Sequence, residues 1–260
     1  MTPTWEPATY LRFADERSRP FFELLARVGA EDPAYVVDLG CGPGNLTATL
    51  AERWPAALVQ GIDTSADMLA AAAEHRIPGR LELVAADVRR WHASQPVDVL
   101  VSNATLQWVP GHLELLGSLV EQVRPGGWFA LQVPGNFAEP SHVLLRELAA
   151  DQRFAGYLSD VHHPAAHDPA DYLHALCAAG CAVDAWETTY LHVLSGPDPV
   201  LRWIAGTGAR PVLQALPGPV RTEFEAEYAD QLAAAYPRDA HGTLLSFRRV
   251  FAVAQREEGA

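Results

Sequence analysis

The chain has 260 residues, of which 49% are hydrophobic and 20% are charged, proportions that are ordinary for a soluble globular protein. No apolar run reaches the roughly 18 residues that a membrane span needs, so we expect no membrane partner. Lys and Arg number 19 against 32 Asp and Glu, and the formal net charge of -13 argues against nucleic acids as partners.

The first half of the sequence predicts helices and strands in alternation. A helix is expected with Ser18 and Pro20 at its start, an apolar face around Leu24, and Gly29 at its end. Five strands follow, at Tyr35–Leu39, Leu58–Ile62, Leu81–Val84, Val97–Ser102 and Trp128–Val133, with helices near 45–53, 67–75 and 113–123. Such alternation predicts parallel strands joined by right-handed crossovers. The run RPGG, residues 124–127, predicts a tight break before the fifth strand.

The second half alternates less regularly. We expect a helix near 141–151, a helix that starts at Asp168 and Pro169 and stops at Gly180, and a long strand over Cys181–Leu194. Three helical stretches between residues 197 and 242 precede a last strand near 245–254. This helical insertion is the predicted lid.

Cysteines and histidines indicate neither a disulfide framework nor a metal site. Cys41, Cys177 and Cys181 lack a paired C-x-x-C spacing, so we expect free thiols, with Cys41 a small buried filler rather than a nucleophile. His162, His163 and His167 share one loop, but adjacent histidines point apart in an extended chain, and we expect no bound metal. The first ten residues, MTPTWEPATY, lack the basic and apolar parts of a secretory signal, so a cytoplasmic location is expected.

The stretch VVDLGCGPG, residues 36–44, predicts a ligand site where the first strand ends. Gly40, Gly42 and Gly44 lack Cβ atoms, so the turn tolerates positive φ angles and lets a ligand approach the backbone. The second strand runs into Asp63, at the place where doubly wound folds keep an acid for ribose hydroxyls. A dinucleotide turn would need a small residue where Asn45 stands, which disfavours a nicotinamide cofactor. The pattern resembles that of class I S-adenosylmethionine-dependent methyltransferases.

That resemblance implies an α/β, Rossmann-like class I methyltransferase fold with a helical cover. Its seven-stranded, mostly parallel sheet would have the order 3-2-1-4-5-7-6, with an antiparallel pair at one edge. A single methyltransferase domain, 1–260, would comprise an N-terminal helical cover (1–30), a cofactor-binding core (31–135) and a helical insertion over the substrate site (197–242).

The resemblance also implies S-adenosyl-L-methionine as the cofactor. The residues expected to bind it are Gly40, Gly42, Gly44, Asp63, Met68, Asp87, Val88 and Asn103. Asp87 and Val88 would recognise the adenine, and Asn103 would contact the amino acid end. Trp108 follows shortly after Asn103, and it either contacts cofactor or substrate or packs in the core.

Several further segments resemble one family more selectively, that of the trans-aconitate 2-methyltransferases. They are Tyr10–Phe13, Glu16–Pro20, VPGNF (133–137), EPSH (139–142), WETTYLH (186–192), WIAGTGARP (203–211) and Phe247–Phe251. The resemblance implies methylation of one carboxylate of trans-aconitate or a similar small polycarboxylate, giving a monomethyl ester. A carboxylate with a pKa near about 4 is already deprotonated at pH 7, so we assign no catalytic residue.

A polycarboxylate that enters a chain of this net charge needs a local positive pocket, and arginine forks bind carboxylates at two points. We expect Arg210 first, then Arg248 or Arg249, with Arg17 or Arg19 from the N-terminal helix. The neutral partners expected are Asn136, Tyr190, His192 and Trp108. For each arginine, a solvated surface role is the alternative. The alternatives for the whole chain are a class I methyltransferase for another small hydroxyl or carboxyl acceptor, and a non-enzymatic protein that binds the same cofactor.

Overall fold

The structure is a computed structural model that describes residues 14–259, with side chains from Ser18 onward. The helices are α1 Ala14–Leu25, α2 Asn45–Arg53, α3 Ala66–Ala72, α4 His112–Gln122, α5 Pro140–Ala149, α6 Ala155–Leu158, α7 Pro169–Ala178, α8 Pro199–Ala205, α9 Arg210–Ala215 and α10 Gly218–Ala235. The strands are β1 Tyr35–Leu39, β2 Leu58–Asp63, β3 Leu81–Ala85, β4 Val97–Asn103, β5 Val123–Pro134, β6 Cys181–Leu194 and β7 Thr243–Arg256. Short 3-10 turns lie at Ala73–His75 and Leu106–Trp108.

The seven strands form one sheet in the order β3-β2-β1-β4-β5-β7-β6. β1 pairs in parallel with β2 on one side and β4 on the other, so that Val36 lies opposite both Val59 and Val99. β2 with β3 and β4 with β5 are also parallel. Every residue of β1 is buried, as expected for an inner strand of a sheet covered by helices. The predicted α/β class, the strand order and the mostly parallel sheet are confirmed.

Contacts divide the described residues into two compact units. The larger unit contains residues 14–133, His167–Glu187 and residues 250–259; the smaller unit contains Pro134–Ala166 and Thr188–Arg249. In the smaller unit α5 packs on α10, and the Tyr228 hydroxyl donates to the Ser141 carbonyl at 2.5 Å. The rings of Phe154 and Phe224 meet edge to face at 5.0 Å. The domain bounds expected from the sequence stay a prediction.

Two expected element boundaries were wrong. The first helix begins at Ala14, so Ser18 does not cap it and Pro20 lies inside it. A proline inside a helix removes one hydrogen bond, and the burial of Phe21, Leu24 and Leu25 stabilises the helix despite that loss.

The expected break at residues 124–127 lies within β5, which begins at Val123. The register between β4 and β5 shifts between Val97 and Val99, and Gly126 has a φ of 74°. Proline and glycine therefore interrupt the pairing inside β5, which resumes with β4 at Trp128, so the run does not precede the strand. By contrast, α7 begins at Pro169 as expected, with the backbone N–H of Asp168 donating to the Asp171 carboxylate at 3.1 Å.

Candidate active site

The glycine turn after β1 is fixed by its neighbours in the larger unit. Gly40, Gly42 and Gly44 all have positive φ angles, of 78°, 54° and 79°. The backbone N–H groups of Gly40 and Cys41 donate to the Ile62 carbonyl at 2.7 and 2.9 Å. A Cβ atom at position 40 would lie 2.0 Å from the Thr105 hydroxyl oxygen, whereas one at position 42 would meet nothing within 4 Å. The turn is thus tight beneath Gly40 and open beside Gly42.

Asp63, at the end of β2, ties this turn to the start of α3. One carboxylate oxygen accepts the Gly42 N–H at 2.9 Å and the other accepts the Ser65 N–H at 2.8 Å. Ser65 caps α3 by accepting the N–H of Met68 at 3.3 Å. Each carboxylate oxygen retains a second acceptor site, so Asp63 is able to bind ligand hydroxyls while it holds the turn.

A second acid, Asp38, was missed by the sequence analysis. It lies buried in β1 and accepts a hydrogen bond from the Thr47 hydroxyl at 2.6 Å. Burial raises the pKa of Asp38 to about 6, a shift that the Thr47 hydrogen bond opposes and the nearby Asp63 carboxylate reinforces. A carboxylate in an otherwise apolar strand directly before a glycine turn was the signal available in the sequence.

Cys41 is also buried in the turn. Burial raises the pKa of its thiol, and the carboxylates of Asp38 and Asp63 raise it further. The thiol therefore stays protonated and is a poor nucleophile, in keeping with the buried filler that the sequence favoured.

Asp38, Cys41 and two of the turn glycines, Gly40 and Gly42, line one pocket in the larger unit, whereas Gly44 and Asp63 lie outside its wall. Its walls are Phe21, Asp38, Gly40, Cys41, Gly42, Pro43, Asn45, Leu46 and Asn103. Among the described residues, the side-chain oxygen of Asn103 is buried and has no hydrogen-bond partner. Ala104, the next residue, has a φ of 54°, an uncommon angle for a residue with a Cβ. A buried amide oxygen and a carboxylate in one pocket suit a ligand group that carries N–H donors or a positive charge.

The other predicted cofactor residues lie outside the wall of this pocket. Met68 in α3 and Val88 are buried. The Asp87 carboxylate is held by Arg89, whose guanidinium donates to it from two nitrogens at 3.0 and 2.5 Å and lowers its pKa. Trp108 is half-buried in the 3-10 turn after β4, where the preceding Gln107 donates from its side chain to the Ala104 carbonyl at 2.6 Å.

The smaller unit brings together several of the segments that the sequence singled out. Gly135 exchanges hydrogen bonds with Arg248, donating to its carbonyl at 2.9 Å and accepting from its guanidinium at 3.2 Å. The ring of Phe137 meets that of His142 edge to face at 5.0 Å. A Cβ atom at Gly208 would lie 2.4 Å from Cε1 of His142, so the backbone of residue 208 lies directly against this ring.

An aromatic cluster joins two further segments within the same unit. The His192 ring lies 4.5 Å from that of Trp203, 6.3 Å from Tyr190 and 6.2 Å from Phe247. The Arg249 guanidinium lies 4.6 Å from the centre of the Phe247 ring. Tyr190 and Arg249 are buried, so the cation is held against aromatic carbon and away from bulk water.

The predicted arginines differ in their surroundings. Arg210, the first residue of α9, is only 4% exposed and Arg249 is 5% exposed. Such burial is rare for arginine and argues against a solvated surface role for these two. Arg248 is half-buried, and Arg19 is exposed with its guanidinium on Glu23 at 2.7 Å. The side chain of Arg17 lies outside the described part of the structure.

No group of three or more His, Cys, Asp or Glu side chains within the described residues is arranged to hold a metal ion. No helix within residues 14–259 combines the length and apolar content needed to cross a membrane.

Comparison with known proteins places this arrangement in a family. A family profile described as a methyltransferase domain matches residues 36–127, which include the glycine turn, Asp63 and Asn103. The trans-aconitate 2-methyltransferase of Streptomyces avermitilis is 55% identical over 98% of this chain and 98% of its own length. The protein of the same name from Streptomyces coelicolor is 53% identical over 99% of this chain and 88% of its own length.

Solved structures share the fold at low sequence identity. A putative methyltransferase from Bacillus halodurans matches 92% of this chain and 100% of its own with a TM-score of 0.62 and 15% identity. An S-adenosylmethionine-dependent methyltransferase from Mesorhizobium loti matches 94% of this chain and 99% of its own with a TM-score of 0.55 and 19% identity. These likenesses show the fold, and the two relatives at 53–55% identity over nearly the whole chain show that this protein is a member of the trans-aconitate 2-methyltransferase family.

Proposed function

We propose that this protein transfers the methyl group of S-adenosylmethionine to one carboxylate of trans-aconitate, or of a closely related small polycarboxylate, forming the monomethyl ester. The observation that carries the proposal is the likeness to relatives of that name at 53–55% identity over nearly the whole chain. The free state of Cys41, Cys177 and Cys181 supports a reducing compartment, and we propose the cytoplasm.

The turn after β1 and the pocket beside it carry groups that the proposed cofactor would need. The open space beside Gly42 would let the cofactor lie against the backbone of the turn. Asp63 would accept hydrogen bonds from the ribose hydroxyls of the cofactor. Asp38 and the unpartnered oxygen of Asn103 would bind the ammonium of the amino acid end. Asp87 and Val88 remain the proposed adenine contacts, and Met68 remains a proposed cofactor contact; the Arg89 side chain on Asp87 leaves the carboxylate further acceptor sites.

The reaction requires no general base from the protein. When bound, S-adenosylmethionine supplies a methyl group made electrophilic by its positively charged sulfur. Because the acceptor carboxylate is ionised at neutral pH, no side chain has to remove a proton. The protein's contribution is to hold the acceptor oxygen in line at roughly 3 Å and to exclude water from the site.

The buried arginines of the smaller unit are the proposed anchors for the acceptor's charge. Arg210 and Arg249 are held in low-exposure surroundings, where a guanidinium attracts a carboxylate more strongly than it would in water. We propose that these two bind carboxylates, with Arg248, Arg19 and Arg17 in supporting roles. The proposed neutral contacts are Asn136, Tyr190, His192 and Trp108.

Transfer of a labelled methyl group across a panel of small di- and tricarboxylates tests the proposal. The expected result is label in a product of trans-aconitate that is lost in mild alkali, as an ester is. The Asp63→Ala variant should lose turnover at low cofactor concentration. Alkali-stable label on another acceptor would support a methyltransferase of different specificity. Cofactor binding without turnover on any acceptor would support a non-enzymatic protein, and either result would contradict the proposal.

A further inference from the structure

Three polar side chains of one short segment lie buried with hydrogen-bonding capacity to spare. Asn136, Ser141 and His142 are 2%, 0% and 5% exposed. Within the described part of the chain, the Asn136 side-chain oxygen and the Ser141 hydroxyl have no hydrogen-bond partner. No hydrogen bond to a ring nitrogen of His142 is found among these residues either; its backbone N–H donates to the Glu139 carbonyl. Because unsatisfied buried polar atoms are rare in native proteins, the two at Asn136 and Ser141, in one segment with the buried imidazole of His142, indicate a polar ligand.

The imidazole of His142 is fixed in place on two sides. Phe137 packs edge to face against it at 5.0 Å. The position of a Cβ atom at Gly208 would be 2.4 Å from Cε1, 3.2 Å from Nε2 and 3.3 Å from Nδ1, so only glycine fits there. A ring held this way presents its nitrogens in a set direction and loses little freedom when it binds a ligand.

His142 is also uncharged at neutral pH. Burial lowers the pKa of His142 to about 4, and the charges of Arg146 and His163 lower it further. A neutral imidazole carries one N–H donor and one acceptor nitrogen. The segment therefore offers a carboxyl group hydrogen bonds without a positive charge, unlike the buried Arg210 of the same unit.

An uncharged partner suits the carboxylate that reacts. In the transfer, the bond from the methyl carbon to sulfur breaks and its electron pair stays on sulfur, while a carboxylate lone pair forms the new carbon–oxygen bond. No proton moves, and the negative charge of that carboxylate disappears. An arginine on the reacting group would stabilise the charged ground state more than the transition state and would slow the step. Neutral hydrogen-bond donors can hold the same oxygen while stabilising the charged ground state less than an arginine would.

We propose that His142, with Ser141 and Asn136, forms an uncharged subsite for the acceptor carboxyl group that receives the methyl, while arginines bind the remaining carboxylates. This inference rests on the proposed function. It adds His142 and Ser141 to the acceptor residues that the sequence predicted.

The test compares His142→Leu, which removes the hydrogen-bonding nitrogens, with His142→Gln, which keeps a neutral donor and acceptor. We expect His142→Leu to raise the KM for trans-aconitate roughly 10- to 100-fold, and His142→Gln to recover most of that loss. The dissociation constant of S-adenosylhomocysteine, measured by calorimetry, should stay unchanged in both variants. The unfolding temperature of His142→Leu should be equal or higher, because an apolar side chain replaces a buried polar one.

His162→Leu is the matched control, since His162 is exposed in the same unit, and its KM should equal that of the wild type. A wild-type KM in His142→Leu would contradict the inference alone. So would a parallel loss of cofactor affinity, or a failure of glutamine to recover the activity, since these indicate a structural role. A wild-type protein that methylates no carboxylate would contradict the proposed function and this inference with it.

Discussion

The tight packing beneath Gly40 leads to a prediction about two neighbouring glycines. Alanine at position 40 must adopt a φ near 78° and place its Cβ atom 2.0 Å from the Thr105 hydroxyl oxygen and 2.4 Å from Cγ2. Alanine at position 42 must adopt a φ near 54° but meets nothing within 4 Å. The two substitutions therefore share a backbone penalty and differ in steric overlap.

The magnitudes follow from these two terms. A left-handed backbone costs a residue with a Cβ about 1–2 kcal/mol, and overpacking in a buried site adds about 1–3 kcal/mol. We expect Gly42→Ala to lower the free energy of unfolding by about 1–2 kcal/mol, and Gly40→Ala to lower it by about 2–5 kcal/mol. Thr105→Ala removes two of the three overlapping atoms, so the double variant should recover part of the difference.

Urea denaturation without cofactor, followed by tryptophan fluorescence and circular dichroism, measures these effects. Thr105→Ala alone is the control that completes the double-mutant cycle. Equal losses for Gly40→Ala and Gly42→Ala, or no coupling between positions 40 and 105, would refute the reasoning. Relative to the stability that each variant loses, Gly42→Ala should lose more cofactor affinity than Gly40→Ala. The reason is that the cofactor is proposed to lie on the open side of Gly42.

Three further predictions concern charged and titratable groups. Because the folded-state pKa of His142 is about 4, below its ordinary value, its contribution to stability is full above about pH 6.5 and is lost as the pH falls through 4. The loss should be on the order of 3 kcal/mol in pH-dependent urea denaturation and absent in His142→Leu. The raised pKa of Asp38, about 6, predicts that cofactor affinity rises from about pH 5 to about pH 7, as the carboxylate ionises. In calorimetric titrations, the cofactor affinity of Asp38→Asn should change much less between these pH values. Arg210→Ala should raise the KM for the acceptor with near-normal cofactor affinity; an unfolded variant in circular dichroism would instead make Arg210 structural.

Much of the fold was predictable because local signals and tertiary structure agree. The alternation of apolar runs, the glycine turn and the acid that ends β2 are each short-range patterns, and they carried the resemblance that implied the observed strand order. The expectations failed where a local signal was overridden. Pro20 lies within α1 because the apolar face that follows it is buried, and the run at 124–127 lies within β5 because the strand pairs with β4 on both sides of it, at Val123 and from Trp128 onward.

The candidate site was predictable only where a residue's type indicates its role. Glycines and Asp63 stand out in the sequence, whereas Asp38 and His142 matter because they are buried, and burial depends on the whole fold. His142 lies within the EPSH segment that the sequence singled out, yet nothing local reveals that Gly208 packs on its ring. The roles of the arginines, Trp108 and the remaining site residues stay predictions.

The central claim is that the turn after β1 and Asp63, the acid that ends β2, bind S-adenosylmethionine. Calorimetric titration of that cofactor into the wild type and into Asp63→Ala tests it most directly. The account predicts one site per chain in the wild type and an affinity at least about tenfold lower in the variant, because charge-assisted hydrogen bonds are lost. No binding to the wild type, or equal affinities in the two proteins, would contradict it.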